Sequence, residues 1–184
     1  MRPLSRLLVF GFVLVLASPA FAQNPPKPSD QNPPDAARAG DADFVKDAGL
    51  GGMTEIELSR LALQKSSDAA VKKFAQQMAT DHTKAGQALQ VAASQEGLTP
   101  PAQLDPEHKQ LVDRFSSLSG AAFDKEYKSQ MLKDHEETVA KFEREAASGN
   151  GSPVQKFASS TLPTLKTHLE MAQELNGGAQ PHAH

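Results

Sequence analysis

The segments "QMATDH" (77–82) and "QMLKDH" (130–135) repeat the pattern Gln-Met-x-x-Asp-His in a chain that has only six histidines. Both segments lie in long stretches whose apolar residues recur at steps of three and four, which is the period of an α-helix with one buried face. In each stretch the histidine falls on the apolar face. The repeat therefore predicts two helices that each direct a histidine into a helical core.

The same periodicity extends along most of the chain, and no alternating pattern is long enough to indicate a sheet. Long helices are expected at about 42–64, 68–96, 121–147 and 153–175, and a short helix at about 105–118. Asp68, Asp105 and Ser152 suit helix starts, and Gly97 suits a helix end. The connections after the first and third long helices are short, whereas the one after the second is long. This connectivity predicts an all-α fold, a ferritin-like four-helix bundle with one long crossover that contains the short extra helix.

The first 22 residues have the features of an export signal. Arg2 and Arg6 precede an apolar run at 7–17 that is short for a membrane span, and "AFA" at 20–22 has the small-x-small pattern of a cleavage site. We therefore expect a Sec-type signal peptide at 1–22, no transmembrane span after its cleavage, and localisation in the periplasm. Association with the outer membrane is left open.

The segments that flank the helical region have compositions that do not form a core. Residues 23–40 are rich in Pro, Asn and Asp and are expected to be a disordered leader, and the tail at 177–184 is expected to be flexible. The bundle domain is therefore predicted at 41–176. The chain has no cysteine, which excludes both disulfides and a lipid-bearing N-terminal cysteine.

The charge of the chain argues against nucleic acid as a partner. Its 19 Lys and Arg residues and 22 Asp and Glu residues give a formal net charge of −3 at pH 7. A protein that binds nucleic acid or an anionic membrane surface usually carries an excess of basic residues. An outer-membrane or other envelope partner is left open, and the sequence does not indicate an oligomeric state.

One strongly polar residue interrupts the inward stripe of each long helix near its middle. These residues are Glu55, His82, His135 and His168. At a rise of about 1.5 Å per residue, the first two lie about 18 Å and 22 Å from the first turn, and the last two lie about 22 Å and 27 Å from the second. All four are therefore predicted to meet near the middle of the bundle.

Three acidic residues accompany this set. Glu57 faces about 160° away from Glu55 on the same helix, so only one of the two can point inward, and Glu55 is favoured. Asp81 and Asp134 each point about 100° away from the histidine that follows them, so neither pair can face one centre together. The three acids are predicted to orient a histidine of a neighbouring helix or to serve as alternative ligands.

Four segments of the helical region carry a family resemblance. They are "GGMTEIELSRLA" (51–62), "VKKFAQQMATDHTKA" (71–85), "FDKEYKSQMLKDHEETVAKFEREA" (123–146) and "KFASSTLPTLKTHLEMA" (156–172). Over about residues 41–175 the chain resembles the bacterial envelope family catalogued as domain of unknown function 4142. The resemblance implies a ferritin-like helical fold. The members are often labelled outer membrane proteins and have no established activity. Their recurring acidic and histidine positions correspond to Glu55, Glu57, Asp81, His82, Asp134, His135 and His168.

Three imidazoles and one carboxylate on facing helices are a donor set that suits a transition metal, with Fe, Zn, Cu, Ni and Mn as candidate ions. The predicted ligands are Glu55, His82, His135 and His168. An oxygen-activating di-iron centre is not expected, because such bundles carry Glu-x-x-His on two helices and this chain contains no Glu-x-x-His.

The leading functional hypothesis is an exported envelope protein, not an enzyme, that binds a transition-metal ion for storage, sensing or structure. No catalytic residue is predicted. The first alternative is a metal-dependent oxidoreductase, which needs an open coordination position. The second is a structural or partner-binding bundle in envelope stress tolerance, in which the same polar residues only hydrogen-bond one another.

Overall fold

Five helices account for nearly all of the chain that the structure describes. The computed structural model describes residues 33–149 and 151–177. The helices are α1 (Pro33–Lys65), α2 (Ala69–Gln95), α3 (Pro106–Ser116), α4 (Gly120–Ala146) and α5 (Pro153–Leu175). These residues include no strand, so the all-α prediction is confirmed. The predicted signal peptide and almost all of the predicted tail lie outside the described residues. None of the described helices combines the length and the apolar character that a membrane span requires.

Three of the helices start at a residue whose side chain caps the helix N-terminus. Asp68 accepts hydrogen bonds from the backbone N–H groups of Ala70 (2.8 Å) and Val71 (3.4 Å) at the start of α2. At the starts of α3 and α5, Asp105 and Ser152 each accept a hydrogen bond from the backbone N–H of the third residue after them. A proline follows each of these two capping residues. A cap satisfies an N–H that has no partner within the helix, and proline at the first position has none to satisfy. The predicted starts of these helices are confirmed.

Helix α1 begins earlier than the sequence pattern predicted. It starts at Pro33 rather than near 42, so the prediction that 33–40 belongs to a disordered leader is wrong. Proline suggested disorder there, but it is tolerated in the first turn of a helix, and the Ala and Arg residues that follow favour helix. Arg38 donates a hydrogen bond to the carbonyl oxygen of Glu96 (3.3 Å), which ties this extension to the end of α2.

The long helices form two hairpins that point in opposite directions. Helix α1 packs along α2 and α4 packs along α5, while α2 also contacts α5 and α1 contacts α4. At one end, Lys128 near the start of α4 pairs with Asp68 in the α1–α2 turn (2.9 Å). At the other end, the backbone N–H of Val154 in α5 donates to Glu96 after α2 (2.8 Å). The crossover therefore runs the length of the bundle, and α3 within it lies against α1 and α4.

The apolar core consists of two clusters that a polar layer separates. One cluster is formed by Phe44, Val45, Leu89, Ala92, Ala93, Val139, Phe142, Val154, Phe157, Ala158 and Leu165. The other is formed by Leu58, Ala62, Val71, Phe74, Ala75, Met78, Phe115, Phe123, Tyr127, Met131 and Ala172. On each long helix, the buried polar residue predicted from the stripe lies between a segment in one cluster and a segment in the other. The two clusters therefore hold these four residues at one level.

Three carboxyl groups converge at the end of the bundle where α2 and α4 finish. They belong to Asp41, Glu96 and Glu145, of which Asp41 and Glu145 are buried. Burial, followed by the nearby Asp41 carboxyl, raises the pKa of Glu145 to about 7. Burial and Asp41 also raise the pKa of Glu96, although the hydrogen bond from the Val154 N–H acts against them. Glu145 therefore keeps its proton in the folded protein at mildly acidic pH.

This shift predicts that stability falls as pH rises. The unfolded chain loses the Glu145 proton near pH 4.5 and the folded protein near pH 7. The contribution of Glu145 to the free energy of unfolding is therefore full below the first value and lost as pH rises through the second. Glu145→Gln cannot ionise, so its free energy of unfolding relative to the wild type should increase as pH rises from 5 to 8. The expected increase is on the order of 1 kcal/mol, because water screens part of the interaction.

Urea unfolding at the two pH values measures this difference. Glu143→Gln is the matched control, because Glu143 is exposed and pairs with Lys166. Parallel pH dependence in the wild type and the Glu145→Gln variant would show that Glu145 is not the titrating group.

Candidate metal centre

The four polar residues of the helical stripes meet in one layer at the centre of the bundle. His82 is 7% exposed, and Glu55, His135 and His168 are each 2% exposed or less. Oε2 of Glu55 lies 2.7 Å from Nε2 of His82 and 3.5 Å from Nε2 of His135. The centroids of the three imidazole rings are 5.5 to 5.9 Å apart. The rings therefore form a nearly equilateral triangle, with the Glu55 carboxylate beside it.

Two of the histidines are each oriented through one ring nitrogen. Nδ1 of His135 lies 2.8 Å from the carbonyl oxygen of Met131, and Nε2 of His168 lies 3.0 Å from Oδ2 of Asp81 on α2. These oxygens can only accept, so each of the two nitrogens carries a proton, and the other nitrogen of a neutral ring has a lone pair. Gln77 donates to the same Asp81 oxygen (2.6 Å) and holds it in place. Histidines that bind metals are commonly oriented in this way.

Several atoms of this layer have no hydrogen-bond partner. Within the described part of the chain, five buried side-chain atoms lack a partner, and four of them are Oε2 of Glu55, Nε2 of His82, Nε2 of His135 and Nδ1 of His168. Two of these atoms, Oε2 of Glu55 and Nε2 of His82, contact each other at 2.7 Å and form an ion pair when His82 is protonated. A buried polar atom without a partner costs about 1–3 kcal/mol. Because such atoms often mark a bound ion or water, these four fit a shared cation.

Small movements bring the three histidines within reach of a single ion. One ligand nitrogen from each ring lies within 4.8 Å of those of the other two. A transition metal binds nitrogen at about 2.0–2.1 Å, so two nitrogens of a tetrahedral site are about 3.4 Å apart. The most distant pair of nitrogens therefore has to approach by roughly 1.5 Å, which side-chain rotations supply.

The electrostatics of the layer keep Glu55 ionised. Burial alone would raise the pKa of Glu55, but the nearby histidines, chiefly His82 and His135, lower it to about 2. Burial alone would lower the pKa of His82, but the Glu55 carboxylate raises it. Burial lowers the pKa of His168 despite its bond to Asp81. The layer thus holds a buried carboxylate whose charge is stabilised by the histidines around it.

Glu55, and not Glu57, faces the centre. The Glu57 carboxylate pairs with Arg60 at the surface, one turn further along α1. Helical geometry explains the difference, since residues two positions apart lie on nearly opposite faces.

The two aspartates that precede histidines have different environments. Asp81 contacts His168 of the neighbouring helix, whereas Asp134 accepts a hydrogen bond from Gln130 of its own helix (2.8 Å). Burial, followed by the charge of Glu55, raises the pKa of Asp134 to about 6. Of the two, Asp81 therefore has the position of a residue that orients a ligating histidine.

A cavity of about 720 Å³ reaches the centre from one side. Glu55 and His82 line it, while His135 and His168 do not. Gly51 and Gly52 of α1 form part of its wall. The sequence interpretation missed these glycines, although a Gly-Gly pair inside a helical pattern is a signal of unusual local packing.

Solved structures with the same helical architecture share little sequence with this chain. A DUF305 fragment from Deinococcus radiodurans superposes with a TM-score of 0.62 at 16% identity, over 75% of this chain and 95% of the fragment. A "putative secreted protein DUF305" from Streptomyces coelicolor gives 0.61 at 15% identity, over 80% and 99%. CopM in its Cu(I)-bound form gives 0.61 at 16% identity, over 74% and 95%. At such identities the likeness shows the fold alone.

No curated protein matches the sequence. One protein-family sequence model does match it, over residues 25–175. This range includes all five helices and the whole polar layer. The resemblance seen in the sequence is confirmed: the chain belongs to the family described as domain of unknown function DUF4142.

Proposed function

We propose that this chain is an exported envelope protein whose central cluster of Glu55, His82, His135 and His168 binds a transition-metal ion. The observation that carries the proposal is the set of four buried atoms, one from each long helix, that lie close together and have no hydrogen bond to any group outside the set. A cluster that only held the helices in register would be expected to satisfy these atoms internally.

The charge of the layer also favours a cation. Glu55 is ionised and 2% exposed, and an isolated buried charge is costly. In the metal-free protein the 2.7 Å contact with His82 offsets part of this cost, consistent with the raised pKa of His82. A divalent ion among the ring nitrogens compensates the charge of Glu55 and at the same time uses the lone pairs of the imidazoles.

The donor set narrows the metal to ions that accept imidazole. Three imidazoles and a carboxylate suit Zn, Cu, Fe, Ni or Mn, and four protein ligands suit storage, sensing or a structural role. CopM, one of the proteins with a similar fold, is solved with Cu(I), so copper belongs in the test set. The missing Glu-x-x-His motif continues to argue against oxygen-activating di-iron chemistry.

The proposed location is the periplasm. It is supported by the signal-like sequence at 1–22 and by one protein of similar fold that is described as secreted. We propose an envelope or outer-membrane partner and no nucleic-acid partner, in keeping with the mildly acidic charge.

Titration of metal-free protein tests the proposal. Wild-type protein should bind about one equivalent of at least one of Fe, Zn, Cu, Ni and Mn, and a variant with His82, His135 and His168 all replaced by alanine should bind none at this site. His108→Ala is the matched control, because His108 is a partly exposed histidine of α3 that pairs with Asp105. Wild-type protein that binds none of the five candidate metals would contradict the proposal.

Asp81→Asn should weaken metal binding without removing a ligand. The hydrogen bond from His168 to the Asp81 carboxylate orients that ring and increases its basicity, and losing such a partner typically costs about 10–100-fold in affinity. Competition with a chelator of known affinity measures the change. Asp134→Asn serves as the comparison, since Asp134 bonds to Gln130 instead. An equal loss in both variants would point to a general effect of charge.

A metal-dependent oxidoreductase is the second candidate, and the cavity favours it. Because the cavity is lined by Glu55 and His82, a small molecule has space beside the centre. Metal-loaded protein should then consume peroxide or oxidise ferrous ion. Turnover that the triple histidine variant retains would argue against it.

A further inference from the structure

The proposed metal centre is buried, and the cavity borders it on one side. His135 is 0% exposed and His168 is 2% exposed, whereas His82 retains 7%. His82 and Glu55 are also the members of the layer that line the cavity. An ion in the cavity would therefore meet His82 and Glu55 before the other members of the layer.

The wall of the cavity is open where α1 carries two glycines. A Cβ atom added at Gly51 would meet nothing within 4 Å, and one added at Gly52 would lie 3.9 Å from Nδ1 of His82. The missing side chains therefore leave a gap in α1 one turn before Glu55, directly beside His82. Glycine in the middle of a helix costs about 1 kcal/mol relative to alanine, so helix formation does not explain the pair.

The charged groups along the cavity suit the passage of a cation. Its lining includes the exposed acids Asp47, Glu107 and Glu137 near the surface, and Asp134 and Glu55 further in. Its basic residues are Lys133 and Lys141, which are paired with Glu137 and Asp47, and Arg114, which is paired with Glu126. The lining thus contains five acidic and three basic residues, and this acidic excess raises the local concentration of cations.

We propose that metal ions enter and leave the centre through this cavity, by way of the gap that Gly51 and Gly52 leave in α1. This inference rests on the proposed metal binding and adds the route by which the ion exchanges. The two glycines act by leaving space and take no part in coordination.

Filling the gap should slow exchange without changing affinity. A Cβ atom at Gly51 meets nothing within 4 Å and one at Gly52 makes only ordinary contact with His82, so Gly51→Leu and Gly52→Leu should both fold. A blocked route slows entry and exit alike, so the equilibrium constant stays the same. Uptake of Zn(II) by metal-free protein, and its removal by excess EDTA, should each slow at least tenfold, with about one equivalent still bound at equilibrium.

Gly40→Leu is the matched control. Gly40 is also in α1, a Cβ atom there meets nothing within 4 Å, and it does not line the cavity. Its variant should exchange Zn(II) at the wild-type rate. Rates within twofold of wild type in both test variants, or loss of equilibrium binding in both, would overturn the inference and leave the proposed function standing. Wild-type protein that binds no metal would overturn both.

Discussion

Replacing His135 with alanine is expected to abolish the rise in melting temperature that a bound metal gives the wild-type protein. An ion that binds only the folded state stabilises it by about 2.7 kcal/mol when the free metal is 100-fold above its dissociation constant. For a domain of this size, that is a rise of roughly 5–10 °C. His135 is fully buried, and its Nε2 is one of the ring nitrogens without a hydrogen-bond partner. Its replacement therefore removes a ligand that no neighbouring side chain replaces.

The comparison is made within each variant, with and without metal. Any loss of packing on removal of the ring therefore cancels. His135→Gln keeps a polar side chain of similar length and should also lose the metal-dependent rise, which covers the case in which the alanine variant does not fold. His108→Ala should keep the full rise. An unchanged rise in both His135 variants would mean that the metal binds elsewhere, and no rise in the wild type would favour a purely structural bundle.

Replacing Phe115 with alanine is expected to cause a large loss of stability. Phe115 is the one buried residue of α3, and its ring packs edge-on against Phe123, with centroids 6.0 Å apart. Removing a buried phenylalanine side chain typically costs about 3–5 kcal/mol. The loss should be concentrated in the crossover, because α3 has no other fully buried side chain to hold it on α1 and α4.

Urea unfolding measures the total loss, and limited proteolysis locates it. Val112→Ala is the control, because Val112 belongs to the same helix and is only partly buried against the same cluster. It should cost about 1 kcal/mol. If the two variants lose equal stability, Phe115 is not the anchor of α3. Because Leu111 and Arg114 of α3 line the cavity, release of this helix should also speed metal exchange.

Most of the polar layer was predictable because burial in a helix follows the apolar stripe. His82, His135, His168 and Glu55 each occupy a stripe position between apolar neighbours, and the level of each follows from its distance to a turn. The sequence allowed only one of Glu55 and Glu57 to point inward, because residues two positions apart on a helix lie on nearly opposite faces, and it favoured Glu55. Metal binding by these residues is still a prediction, since donor atoms in the right place are a precondition for a site and do not identify its ligand.

The contacts between helices were less predictable, since they depend on which helices become neighbours. Asp81 and Asp134 occur in the same local sequence, yet Asp81 reaches His168 while Asp134 bonds within its own helix. The difference arises because α2 packs beside α5, whereas Asp134 faces the cavity. The contact between Asp41 and Glu145 was not predicted for a related reason. This contact requires α1 to start before Asp41, and the prolines in that part of the sequence suggested disorder.

The most direct test of the account is the metal content of untagged protein purified from the periplasm without chelators, measured by elemental mass spectrometry. The wild type and the triple alanine variant of His82, His135 and His168 are compared in the same preparation. The account predicts about one equivalent of one transition metal in the wild type and none in the variant. A wild-type protein that carries no metal, and whose melting temperature does not respond to any added metal, would contradict it and leave the repeated Asp-His motif as part of the core.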